Sequence, residues 1–202
     1  MLDRFKAQSK TLAEAVARAV AWTGVSPTQL TLLGFALNVG VAVVLAAGLL
    51  PLGGALSLLA GVFDTLDGAL ARIAKRSTTF GAFLDSTVVR YAEAALLLGL
   101  LIDASRRGDL LVSAATYIVI VGSLMVSYTR ARAEGLGLKC EVGIAPRPER
   151  VIILALGLIL GLELPALILL AVLTNVTAIQ RILHVRGLTT PVPPPRPASP
   201  AE

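Results

Sequence analysis

The sequence predicts an all-α integral membrane bundle, six transmembrane helices preceded by an amphipathic helix lying on the membrane surface. Three observations lead there. Hydrophobic residues fill 55% of the 202 positions and charged residues only 15%, whereas about a quarter of residues are charged in ordinary soluble domains. The mean hydropathy is +0.80. From Pro27 to Phe63 the chain carries no charge at all, a run long enough for two spans of about 20 residues each.

Taken in order, residues 1–24, "MLDRFKAQSKTLAEAVARAVAWTG", carry charges throughout and lack the unbroken apolar core of a signal peptide. They read as the surface helix, with Trp22 at the interface. The apolar run that follows is expected to fold as a hairpin, with "LLPLGG" (residues 49–54) as its turn. Further runs with few or no charges lie at about 80–102, 110–129, 147–162 and 164–180. The fifth reaches span length only if Arg147 and Arg150 sit at a water-accessible end. The helical domain is therefore placed at 25–187, followed by a Pro-rich tail at 188–202 that is expected to be disordered. Cys140 is the single cysteine, which leaves no disulfide framework and no thiolate metal cluster.

The 18 Lys and Arg residues orient the bundle, because positive charge near span ends favours the cytoplasmic side. Those before the first span, between spans two and three, between four and five, and after six all fall on one side. The other side has only Arg106 and Arg107, flanked by Asp103 and Asp109. Both termini are thus expected in the cytoplasm, in a multi-pass protein of the cell membrane. The net charge of +5 is mostly topological and gives no reason to invoke nucleic acid.

Against this apolar background, Asp64, Asp67 and Asp85 stand out, since an ionised carboxylate at the centre of a span costs about 2.5–3.5 kcal/mol or more. In "DTLDGALAR" helical spacing brings Asp67, Gly68, Ala71 and Arg72 to the side of Asp64. The small residues leave room for a ligand or another backbone. On the next helix Gly81, Asp85 and Val89 repeat at intervals of four. Carboxylates crowded in this way call for a cation, and hard divalent ions such as Mg²⁺ or Mn²⁺ take oxygen ligands of this kind. A pair of such ions is a common arrangement for phosphoryl transfer. The plainer reading is that the aspartates sit at wet helix ends and pair with Arg72, Lys75 or Arg90. The spacing of all three, with small residues between them, favours the metal.

The segment "DTLDGALAR", eight residues, then "GAFLD" resembles the signature of the CDP-alcohol phosphotransferase family, DxxDGxxAR-x8-GxxxDxxxD, with one departure: the last Asp falls on Val89. The resemblance implies an enzyme that moves a phosphatidyl group from CDP-diacylglycerol to an alcohol and releases CMP, in a cavity open to the cytosolic leaflet, and it suggests a homodimer. Carried over residue by residue, it makes Asp64, Asp67 and Asp85 ligands of two ions, and Gly68, Arg72 and Thr78 contacts of the cytidine diphosphate. "SPTQLT" adds Thr28 and Thr31, although Thr28 reads equally as a helix cap beside Pro27. Position 89 is where the family has its general base. Glu93, one turn further on, is the available substitute carboxylate.

The segment at 127–150, "SYTRARAEGLGLKCEVGIAPRPER", and the closing "QRILHVR" resemble bacterial phosphatidylinositol phosphate synthases. The resemblance implies that Arg130, Arg150 and Arg186 hold the phosphate of the acceptor, inositol phosphate, with Arg132 and Arg181 as near alternatives. Lys139 and Cys140 read as ordinary loop residues, and His184 as interfacial. Glycerol 3-phosphate would satisfy the same pocket. Two other classes compete: a CDP-lipid-binding relative, natural or engineered, that has lost turnover through Val89, and a transporter whose aspartates serve ions.

Overall fold

The computed structural model describes residues 26–73 and 78–189, for Pro27 and residues 63–73 the backbone alone. The expected surface helix and most of the Pro-rich tail lie outside the described residues. Six helices make up the rest: α1 Pro27–Ala46, α2 Leu50–Ile73, α3 Thr79–Arg106, α4 Leu110–Gly135, α5 Arg147–Ile159 and α6 Glu163–Thr189. By length and composition three of them are fit to cross a membrane, Thr28–Ala46, Leu110–Gly135 and Glu163–Thr189.

The other three fall short for separate reasons. α3 is long enough, but it carries Asp85, Arg90, Glu93 and Asp103 along its length. The described apolar part of α2, Leu50–Val62, is short. α5 has 13 residues, a rise of about 20 Å against a hydrocarbon layer of about 30 Å. Arg150 is not at a wet end of α5, as the sequence suggested, but buried in the bundle.

Local chemistry explains the helix ends. Ser26 caps α1 in a reciprocal capping box with Gln29, so Thr28 is an exposed first-turn residue rather than the cap. The first turn of the chain falls at Ala47–Leu49, earlier than "LLPLGG" suggested. Gly48 takes a φ of +82° there, a conformation that favours glycine, and Pro51 is accommodated in the first turn of α2. Thr78 caps α3 by accepting from the Gly81 N–H at 2.9 Å, and Asp109 caps α4 by accepting from Val112 at 3.0 Å.

Among the described residues the helices pack as a closed ring in the order α1, α2, α5, α6, α4, α3. The core lies inside it, built from Val41 and Leu45 of α1, Leu96, Leu97 and Leu100 of α3, Val119 of α4, Leu154 and Leu158 of α5, and Leu167 and Leu170 of α6. Backbones approach closely at glycines. A Cβ on Gly99 would lie 2.2 Å from the carbonyl oxygen of Ala42, and one on Gly54 would lie 2.7 Å from that of Ala155.

At one end of the bundle two arginines join three turns. Arg106 donates to the Ala46 carbonyl at 2.8 Å. Arg107 bonds Asp103 and both oxygens of Glu163, each at 2.9 Å. Burial pulls the Arg107 guanidinium down, but Glu163 and Asp103 outweigh it and hold the group above the ordinary arginine value.

The glycines yield a paired prediction. Gly99→Leu should force α1 and α3 apart and lower the melting temperature in detergent strongly, at a cost of about 1–3 kcal/mol for overpacking. Gly40→Ala, where a Cβ meets nothing within 4 Å, should be neutral or stabilising by up to about 1 kcal/mol. Equal behaviour of the two variants in a thermal unfolding assay would refute the close-approach role of Gly99.

Candidate active site

The stretches that carry the aspartates are the C-terminal part of α2 and the first half of α3. α2 is helical through residue 73, so positions 64 and 67 lie three residues apart on one continuous helix. The side chains of Asp64, Asp67, Gly68 and Arg72 lie outside the described residues. Asp85, on α3, is partly buried, as are Val89 and Glu93. Their intervals of four align them along one face of α3, which continues toward the fully enclosed core around Leu96 and Leu100.

Glu93 is the charge at the bottom of that face, and it meets Arg150 of α5. Arg150 donates from Nε to Glu93 Oε1 at 2.9 Å and from Nη2 to Oε2 at 2.8 Å. Arg150 is buried, its side chain 4% exposed, and Glu93 largely so at 13%. A third donor, Nη1, reaches the Ala145 carbonyl at 3.0 Å. The residue expected at the acceptor phosphate thus carries a bidentate structural pair and keeps only the rest of its fork for a ligand. Glu93 likewise could take a proton only by breaking the pair.

Two serines that the sequence reading passed over complete this interior. A cavity of about 20 Å³, room for about one water molecule, is bounded by Ser57, Glu93, Ser123 and Arg150 among apolar neighbours. Ser57 donates to the Gly53 carbonyl at 2.8 Å. The Ser123 hydroxyl is buried and has no hydrogen-bond partner among the described residues. Nothing in the sequence distinguishes these serines from others that merely back-bond along a helix.

The α4–α5 connection closes over the same end. Arg181 of α6, the alternative phosphate ligand, is buried: its Nε donates to the Val142 carbonyl at 2.9 Å and its Nη1 to that of Val126. Thr177 accepts from the Ala145 N–H at 3.2 Å. Cys140, expected as an ordinary loop residue, is fully buried. His184 lies 3.3 Å from the Lys139 carbonyl, a tie between α6 and the loop. Arg130 is exposed and bonds Glu134 one turn on at 2.8 Å, while Arg132 and Arg186 are exposed near the ends of α4 and α6. Thr31 is buried on α1, and Thr78 is exposed as the α3 cap.

The pattern that defines the CDP-alcohol phosphatidyltransferases matches residues 24–185, most of the chain. The chain belongs to that family. It is accordingly a membrane protein and an enzyme of phospholipid biosynthesis, a phosphatidyltransferase close to the phosphatidylinositol phosphate synthases. It is 38% identical to the archaetidylinositol phosphate synthase of Methanothermobacter thermautotrophicus, over 92% of this chain and 94% of that one. With the phosphatidylinositol phosphate synthase of Mycobacteroides abscessus it shares 38% identity, over 91% of this chain and 86% of the other.

Its fold is similar to that of the Mycobacterium tuberculosis phosphatidylinositol phosphate synthase crystallised with CDP-DAG bound, with a TM-score of 0.81, 34% identity, and coverage of 94% of this chain and all of that one. The same synthase in complex with manganese and citrate aligns with a TM-score of 0.79 and 32% identity, over 90% of this chain and 93% of that one.

The Glu93–Arg150 pair predicts strong coupling. Removing one partner of a buried ion pair costs about 3–5 kcal/mol, so Glu93→Gln and Arg150→Met should each lower the melting temperature in detergent markedly. The double variant should lose much less than the sum. Additive losses would show that the two groups do not support one another.

Proposed function

We propose that the chain transfers a phosphatidyl group from CDP-diacylglycerol to a phosphorylated polyol, inositol phosphate, and releases CMP. The observation that carries this reading is the likeness, over nearly the whole chain, to a phosphatidylinositol phosphate synthase with CDP-DAG bound. Two features of the structure support it. An apolar groove of about 500 Å³ between α2 and α5, bounded by Leu58, Gly61, Val62, Pro148, Val151 and Ile152 with Arg147 at its side, suits a lipid chain close to a charged headgroup. Arg130 and Arg186, with what remains of the Arg150 fork, bring donors to the end of the bundle where a phosphorylated acceptor would enter, and guanidinium suits phosphate oxygens.

Asp64, Asp67 and Asp85 are proposed to hold two Mg²⁺ or Mn²⁺ ions. The fit rests on the chemistry of the donors, all hard oxygens, and on the unbroken helix that keeps positions 64 and 67 one turn apart. A similar synthase was crystallised with manganese. Once bound, such ions supply charge stabilisation for the pyrophosphate and the departing phosphate oxygen. Gly68, Arg72 and Thr78, with Thr28 and Thr31, are assigned to the nucleotide side, where small residues admit the ligand and Arg72 offsets its charge. The topology follows the distribution of Lys and Arg: six spans, the fifth one short, with both termini and the site on the cytosolic side.

Val89 sets the rate. The side chain at this position has neither charge nor lone pair, and Glu93, the next carboxylate on that face, is bound to Arg150. Loss of a general base typically costs about 10²–10⁴-fold, so CDP-lipid binding should be retained with slow turnover. An assay of CMP release against a panel of acceptors, with inositol phosphate expected to give the highest rate, tests the function. Val89→Asp should raise that rate by at least about tenfold with little change in CDP-lipid affinity. If Val89→Asp does not increase turnover, the base does not sit at this position.

A further inference from the structure

Five arginines, Arg90, Arg130, Arg147, Arg150 and Arg181, gather toward the end of the bundle where α5 begins, and most of them are already committed. Arg150 is taken up by Glu93 and Ala145. Arg181 serves the carbonyls of Val142 and Val126. Arg130 is paired with Glu134. Arg90 stands apart. Among the described residues its hydrogen bond goes to the Ser86 carbonyl, one turn back on its own helix, and the rest of its donor fork is unspent.

Its surroundings make that capacity matter. Arg90 is partly buried, and behind it lies a mostly apolar void of about 10 Å³ between α3 and α4, lined by Glu93, Leu97, Ile120, Ser123 and Leu124, too small for a phosphate, so an anion would meet the guanidinium on its open side. Among the described residues, the positive charges of Arg147, Arg150 and Arg130 and the carboxylate of Glu93 bear on it. Glu93 already neutralises Arg150. A half-enclosed guanidinium with like charges on several sides is stabilised by an anion, and a phosphate oxyanion matches its fork. Arg90 follows directly on Val89 and lies little more than one turn beyond Asp85, so an anion held there would sit beside the reacting groups.

We propose that Arg90 binds a phosphate oxyanion of a substrate, and so acts as a substrate-binding residue in addition to the arginines near the ends of α4, α5 and α6. This inference rests on the function proposed above. The oxyanion has two possible sources, the phosphate of the acceptor and the pyrophosphate of the CDP-lipid, and the same experiment separates them.

Isothermal titration in detergent with Mn²⁺ would measure the affinity of the wild-type protein, Arg90→Gln and Arg90→Lys for CDP-diacylglycerol, for inositol 1-phosphate and for unphosphorylated inositol. A hydrogen bond to a charged group is worth about 1.5–3 kcal/mol, so Arg90→Gln should weaken one phosphate ligand by about 10- to 100-fold. The ligand affected identifies the source of the oxyanion, and inositol itself should be indifferent to the change. Arg90→Lys keeps the charge but loses the fork and should fall between wild type and Gln. If Arg90→Gln does not fold by circular dichroism, the lysine variant decides: a loss of at least about threefold on one phosphate ligand supports the proposal, and none overturns it. A folded Arg90→Gln that binds both ligands within about twofold of wild type overturns it as well. Wild-type protein that binds neither phosphate ligand would overturn the proposed function and this inference together, whereas binding that is insensitive to residue 90 overturns only the inference.

Discussion

The interaction on which the polar interior depends is the bidentate pair between Glu93 and Arg150. In the packing ring α3 touches α1 and α4, and α5 touches α2 and α6, so the pair reaches between helices that are not neighbours. Either charge alone would be costly to bury in so apolar a setting. Together they form a strut across the interior, and the third bond of Arg150, to Ala145, extends it to the loop that closes the site. The face of α3 that carries Asp85 and Val89 is thereby held in a fixed relation to the α4–α5 connection. A single contact gives this face and the loop before α5 a common frame.

The presence of the helices was legible because each answers to a plain signal, a long run without charge. Their ends were less so. Hydropathy stops at the first charged residue, but the helices do not: α3 runs to Arg106, α4 to Gly135 and α6 to Thr189, since backbone hydrogen bonding continues past the apolar stretch. The first turn was placed too late because "LLPLGG" combines proline with two glycines, a familiar breaker pattern. In the structure Pro51 opens a helix, and Gly53 and Gly54 serve close packing, where added Cβ atoms would come within 2.3 Å of Leu45 and 2.7 Å of Ala155. One composition served a different physical purpose.

For the site, what could be read was spacing within a segment. The intervals linking Asp64, Asp67, Asp85 and Val89 are local, and periodicity alone orders them. What could not be read was pairing across segments. Arg150 was legible as a cation near a phosphate-binding end, but its partner lies 57 residues away in sequence, and no local pattern announces that contact. Arg181 was read as an alternative ligand of the acceptor phosphate, and its bonds to the carbonyls of Val142 and Val126 were equally out of reach. Ser57 and Ser123 became visible only once helices from different parts of the chain surrounded them with charge. Long-range complementarity is written in three dimensions, and a single sequence carries it only in part.

The salt bridges of Arg107 bear on how the bundle moves. The Arg106 and Arg107 contacts fasten the ends of α1, α3 and α6, while the opposite end closes mainly through the loop between α4 and α5. Local stability in such an assembly is graded along the helix axes. Amides near the fastened end are expected to open at higher free energy than those around Arg147, on the far side of the Glu93–Arg150 pair. Such a gradient lets one end of the bundle yield while the contacts of Arg106 and Arg107 keep the other closed.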